Sequence, residues 1–95
     1  MLVTLDKLET IENAILVDIR EEYEREGYSI EKALAVPMGV LAEEVGQFSK
    51  SNNYILFCQS GNRSTNMTKI LRTKGFSNIY SLEGGANLMS ERNFK

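Results

Sequence analysis

The segment Tyr54-Ile55-Leu56-Phe57 is apolar or aromatic at every position and runs straight into Cys58 and a polar stretch, Gln59-Ser60-Gly61-Asn62-Arg63-Ser64. A strand with one wet face alternates apolar and polar residues. A strand that is apolar throughout has to be covered on both faces, as in a parallel sheet flanked by helices. Ile15-Leu16-Val17-Asp18-Ile19 has the same character and is read as a second buried strand. Strands of this kind alternating with helical segments imply an α/β layered fold. Ligands of such folds gather at the carboxyl ends of the strands. Cys58 stands at that end of the most apolar strand.

The remaining segments fit the alternation. Glu21 to Glu26 is read as a short helix closed by Gly27, with the acidic first turn that a helix dipole favours. Ala33-Leu34-Ala35-Val36 is a shorter strand ended by Pro37. Gly39 to Phe48 is read as a helix with Val40, Leu41, Val45 and Phe48 on one face. A further helix runs from a cap at Ser64 or Thr65 to Lys74, with Met67, Ile70 and Leu71 inward and Gly75 as its C-terminal cap. Ile79-Tyr80-Ser81-Leu82 is the last strand, and Leu2 to Glu9 holds an edge strand and a short helix. Met38, Met67 and Met89 read as core filler. The chain has 95 residues with no repeat or linker, so it is read as a single domain over 1–95.

Two absences narrow the chemistry. Without histidine, Cys-His and Ser-His-Asp machinery is excluded within this chain. With one cysteine, an internal disulfide, a Cys-x-x-Cys pair and a Cys/His zinc site are excluded as well. No cofactor and no metal is implied. The longest apolar runs fall far short of the roughly 20 residues that cross a bilayer. Met1 to Asp6 lacks the basic and apolar regions of a signal peptide. A cytoplasmic location without a membrane partner is the expectation. An isoelectric point near 5.1 and the lack of basic-aromatic interleaving argue against a nucleic-acid partner.

Charge is unevenly placed. Residues 1–50 hold 5 Lys/Arg and 11 Asp/Glu, a net −6, while residues 51–95 hold 6 and 2, a net +4. Cys58 lies in the positive half, where a thiolate and an anionic substrate would both be favoured. The same charges could equally be the decoration of solvent-facing helices.

The stretch from Cys58 to Ser64 joins a strand end to a helix start. Such a loop can turn its backbone N–H groups inward as an anion-binding nest, with the helix dipole behind it. Gly61 permits backbone conformations that other residues resist, and Arg63 adds a guanidinium. A cysteine beneath this cradle should be a thiolate nucleophile, whereas a lone cysteine after an apolar strand without such a loop is usually a small buried hydrophobe. Cys58 is therefore the candidate catalytic residue, and Gln59, Ser60, Gly61, Asn62, Arg63 and Ser64 its binding loop. Asp18 and Arg20 are secondary candidates. They could line the site, but capping and pairing within the strand–helix turn is the reading preferred. Gly84-Gly85 could approach the loop or simply turn the chain into the last helix.

Cys58-x-x-Gly61-x-Arg63-Ser64 resembles the active-site loop of rhodanese-homology domains. Leu16-Val17-Asp18-Ile19-Arg20 with Glu21-Glu22-Tyr23-Glu24 resembles the first signature of that family, Ala33-x-x-Val36-Pro37 its second, and Gly75 to Gly85 its C-terminal one. The four stand in the family's order across about residues 15–89. The resemblance implies a mostly parallel five-stranded sheet with helices on both faces, and a cysteine that accepts sulfane sulfur and passes it on. Where many members read Gly-His-Ile-Pro-Gly-Ala, this chain reads Gly27-Tyr28-Ser29-Ile30-Glu31-Lys32-Ala33. No tryptophan follows Gly84-Gly85, and Leu88 or Met89 is assigned its space.

The leading functional expectation is sulfur transfer from a small anionic donor such as thiosulfate, or from a persulfide-bearing protein, to a thiol or cyanide through a Cys58 persulfide. One cysteine suffices, because a thiolate needs no base and the acceptor supplies the second thiol. A cysteine phosphatase or arsenate reductase is a second reading. Related folds of that kind place five residues between Cys and Arg, and here only Gln59 to Asn62 intervene. A non-catalytic binding module, docking a partner on the acidic half, is the third.

Overall fold

A computed structural model describes residues 1–95. The chain order is strand β1 (Leu2–Val3), helix α1 (Leu5–Leu8), strand β2 (Ala14–Asp18), one 3-10 turn (Glu22–Arg25), strand β3 (Leu34–Ala35), helix α2 (Met38–Glu44) running into a 3-10 turn (Val45–Gln47), strand β4 (Asn53–Phe57), helix α3 (Asn62–Thr73), strand β5 (Ile79–Leu82) and helix α4 (Gly85–Glu91). The five strands form one sheet in the order β1-β5-β4-β2-β3. Every pairing is parallel, and β4 is flanked by β2 along its whole length and by β5.

The period-2 alternation of the strands divides the core into two layers. Leu16, Ile55, Phe57 and Leu82 face the side covered by α1 and α4, where they pack with Leu5, Leu8, Ala86 and Met89. Val17, Tyr54, Leu56, Cys58 and Ile79 face the other side, where they pack with Leu41, Val45 and Leu71 of α2, its 3-10 extension and α3. Burying one Leu- or Ile-sized side chain contributes about 1.5–3 kcal/mol, so each layer is a substantial share of the stability. Cys58 continues the alternation of β4 by one residue, which points its sulfur at the α3 side.

The five-stranded α/β architecture expected from the sequence is the one present, with small differences. The segment from Glu21 to Glu26 is one 3-10 turn instead of a helix. Leu41 on α2 and Val45 in its 3-10 extension point inward, and Phe48 just beyond stacks on Tyr54 with centroids 4.0 Å apart, but Val40 is 43% exposed. Helix α3 begins at Asn62 with Gly61 as its N-cap, three to four residues before the expected cap at Ser64 or Thr65. Its inner face is Ser64, Thr68 and Leu71, an i, i+4, i+7 series, and Ile70 is 49% exposed. The rotation of α3 follows from Ser64, whose hydroxyl is held at the sheet. The C-terminal cap at Gly75 is as expected: with φ +102°, its N–H donates to Arg72 O and the Phe76 N–H to Leu71 O, the paired bonds of a Schellman ending. Met89 is fully buried beneath α4, and Leu88 packs beside the same layer.

Candidate active site

The loop leaving β4 curls around the Cys58 sulfur. The Gly61 N–H donates to Sγ at 3.1 Å, the Ser64 N–H at 3.4 Å, and the Ser64 Oγ lies 3.6 Å away. These amides belong to the N-cap and third residue of α3, groups that have no partner within a helix. The cysteine sulfur caps α3 where a serine or aspartate oxygen would otherwise stand. Ser64 uses its own hydroxyl elsewhere: it reaches Gly61 O at 3.2 Å and Ser81 Oγ at 2.8 Å, and Ser81 in turn meets Thr65 Oγ1 at 3.2 Å.

Cys58 is 1% exposed. Burial is the largest influence on its thiol and opposes ionisation. The Ser64 amide and hydroxyl, the Gly61 amide and the Arg63 amide together outweigh it, and the thiol pKa lies below its ordinary value. The sulfur is thus buried but not in an apolar setting, because the Gly61 and Ser64 N–H groups converge on it. Their aim sets Cys58 apart from the apolar residues it packs with, Leu56 and Leu71.

The loop is clamped from the far side by α4. The Ala86 N–H donates to Cys58 O at 2.8 Å and the Asn87 N–H to Gln59 O at 2.9 Å. This approach needs a glycine at 85 for room, and one at 61 for its backbone angle. A Cβ on Gly85, where φ is +54°, would stand 2.3 Å from Cys58 O, and one on Gly61, where φ is +105°, would stand 3.4 Å from Gly84 N. The two readings of Gly84-Gly85 are therefore both realised: the pair turns the chain into α4 and also approaches the loop.

Asp18 and Arg20 form a buried pair, 2% and 1% exposed. Arg20 Nε and Nη2 donate to the two carboxylate oxygens of Asp18 at 3.0 and 2.9 Å. The remaining guanidinium N–H groups reach Glu24 O, Tyr28 O and Gln59 Oε1, so all five are used. The pairing within the strand end is as favoured from the sequence, and Arg20 additionally ties down the first residue of the loop. Gln59 passes the chain on to Asn87 Oδ1 at 2.6 Å. Ser60 and Asn62 face solvent.

The guanidinium that Arg63 adds to the loop is already paired: Nη1 and Nη2 donate to Glu24 Oε1 and Oε2 at 2.9 and 2.6 Å. The partner comes from the acidic half of the chain, so the positive surround of Cys58 inferred from sequence is compensated in the fold. Hydrogen bonding from Arg63 holds the Glu24 carboxyl at a pKa of about 2, against the opposing effect of burial. Sequence reasoning missed Glu24, Ser81 and Asn87. The Glu21-x-x-Glu24 spacing of a capping box was a local signal for Glu24, whose Oε1 accepts the Glu21 N–H at 3.0 Å. Nothing in the sequence linked it to a residue 39 positions away.

The largest concavity, about 850 Å³, is lined by Tyr28, Ile30, Lys32 and Phe94 among others and does not include Cys58. The convergence of donors, not cavity size, marks the loop as the candidate site. No helix is long and apolar enough to cross a membrane.

Residues 3–91 match the family model described as the rhodanese-like domain. The chain is 35% identical over 80 residues to the provisionally named sulfurtransferase YtwF of Bacillus subtilis (strain 168), covering 84% of this chain and 77% of that protein. It is 31% identical over 78 residues to the tRNA uridine(34) hydroxylase of Sodalis glossinidius, covering 76% of this chain but only 22% of that longer protein. Among solved structures, a rhodanese-related protein from Thermoplasma volcanium superposes with a TM-score of 0.84 at 28% identity, over 98% of this chain and 93% of that one.

Proposed function

The chain belongs to the rhodanese-like domain family, and on that premise we propose that it is a sulfurtransferase acting through a Cys58 persulfide, as one domain over 1–95 in the cytoplasm. The observation that carries the proposal is the aim of the Gly61 and Ser64 N–H groups at Cys58 Sγ. The relationship to a provisionally named sulfurtransferase supports it.

In the first half-reaction the Cys58 thiolate attacks the outer sulfur of thiosulfate. A new S–S bond forms, the bond to the sulfite group breaks, and sulfite leaves with the electron pair. The persulfide that remains, Cys58–S–S⁻, is an anion, and the loop amides from Gln59 to Ser64 are the donors that would stabilise it, as oxyanion holes stabilise oxygen. In the second half-reaction a thiolate or cyanide attacks the outer sulfur and releases Cys58 as its thiolate. No histidine is needed at either stage, because both nucleophiles enter ionised. Gln59, Gly61 and Ser64 are assigned to shaping the cradle. Arg20 and Asp18 are assigned to holding Gln59 in place.

The test is intact-mass measurement after incubation with thiosulfate or a thiol persulfide. Wild type gains one sulfur atom and Cys58→Ser gains none. If wild type gains none with either class of donor, the proposal fails. The tRNA hydroxylase relative matches over a fifth of its own length, so the activity of that whole protein is not carried across.

A further inference from the structure

Arg63 is the one ionised side chain between residues 59 and 64. Both of its terminal nitrogens are engaged by the carboxylate of Glu24. Glu24 is itself anchored by the Glu21 N–H, so the carboxylate is preset and not a chance surface partner. The neighbouring guanidinium, Arg20, is compensated by Asp18 and has no N–H left to offer. The same short turn also exposes Glu21, Glu22 and Glu26, against the one guanidinium of Arg25, which has no ion-pair partner and is mostly turned away from solvent. A donor with two negative charges therefore finds the guanidinium of the loop and that of Arg20 already paired. It must displace Glu24 from Arg63 or approach beside a carboxylate already there.

Deepening the sulfur-transfer reading, and resting on it, we propose that Glu24 determines donor choice: by occupying Arg63 it disfavours small polyanions such as thiosulfate and leaves sulfane sulfur to be drawn from thiol persulfides of low net charge. In that reaction the Cys58 thiolate attacks the outer sulfur of R–S–S–H. The S–S bond to Cys58 forms, the donor's own S–S bond breaks, and R–S⁻ departs with the electron pair. It then takes up the persulfide proton, leaving R–SH and Cys58–S–S⁻. No oxidant or reductant enters. Glu24 touches neither sulfur; it acts through Arg63 and through its own charge.

The test compares three donors on wild type, Glu24→Gln and Glu24→Asp, following sulfur gain at Cys58 by mass over time. The donors are thiosulfate, mercaptosuccinate persulfide, which is polyanionic, and cysteamine persulfide, whose ammonium offsets its persulfide charge. The two persulfides share one reactive group but release thiols of different basicity, so charge is read from the change in their ratio between wild type and Glu24→Gln and with added salt. Wild type should load from cysteamine persulfide about tenfold faster than from mercaptosuccinate persulfide, the scale on which a nearby charge alters encounter. Glu24→Gln should raise loading from both polyanions about tenfold relative to cysteamine persulfide, and Glu24→Asp should keep the wild-type order. In wild type, added salt should narrow the preference. Equal changes with all three donors would mark the pair as merely structural and overturn the proposal, as would a wild-type donor ratio indifferent to salt. If wild type loads well but Glu24→Gln keeps the donor order, only the part given to Glu24 falls. If no donor loads wild type, the sulfur-transfer reading falls and this inference with it.

Discussion

Replacing Arg20 with methionine removes a guanidinium of similar volume to its substitute from a site that is 1% exposed. The loss is asymmetric. Asp18, itself 2% exposed, keeps only the Arg20 backbone N–H, at 3.1 Å, of the three donors that Arg20 gives it. Glu24 O, Tyr28 O and Gln59 Oε1 each lose a donor as well. Breaking a buried pair by removing one partner costs about 3–5 kcal/mol, because the other charge is left uncompensated. A domain of this kind has about 5–15 kcal/mol in total, so Arg20→Met should still fold but close to its margin. At a urea slope of about 1 kcal/mol per molar, the midpoint should fall by about 3 M or more. Urea unfolding followed by circular dichroism measures this directly. Asp18→Leu with Arg20→Met should recover most of the loss, since a packed apolar pair has no charge to strand. A loss below about 1 kcal/mol for Arg20→Met would refute the reasoning, for the pair would then behave as an exposed one does.

Gly85→Ala should cost about 3 kcal/mol or more and slow Cys58 alkylation, since its Cβ would meet Cys58 O at 2.3 Å at a positive φ, whereas Gly27→Ala, with nothing within 4 Å, should be nearly neutral by the same unfolding assay. Ser64→Ala removes the hydroxyl 3.6 Å from Sγ, so the thiolate absorbance near 240 nm should appear at higher pH than in wild type; an unchanged midpoint would show that the amides alone set it. The Glu24 carboxyl is depressed from 4.5 to about 2, so its stabilising contribution is present above pH 4.5 and lost as pH falls toward 2. After allowance for the partly exposed Arg63, the advantage of wild type over Glu24→Gln should be about 1–2 kcal/mol at pH 7 and should vanish near pH 2, read as urea midpoints across that range.

Much of this protein follows from local rules. Four apolar residues in a row before Cys58 require cover on both faces, and that alone implies a parallel sheet between helices. The alternation along β4 then fixes which layer receives the sulfur. Gly75 had to end α3, because only a residue tolerant of positive φ closes that helix. The Cys58-to-Ser64 loop was legible for the same reason: its residues are contiguous, and a nest is a property of neighbouring amides. What local rules could not supply were partners brought together by the sheet. Arg63 looked like a free cation because Glu24 lies 39 residues away, and only the β2–β4 pairing sets the turn after β2 beside the loop after β4. Ser64 looked like a helix cap because nothing nearby in sequence competes for its hydroxyl, yet β5 brings Ser81 within 2.8 Å and the sulfur takes the capping role. Patterns of apolarity and backbone preference are short-range and are written residue by residue. Charge compensation depends on distance in space, so it was decided only when the chain closed on itself.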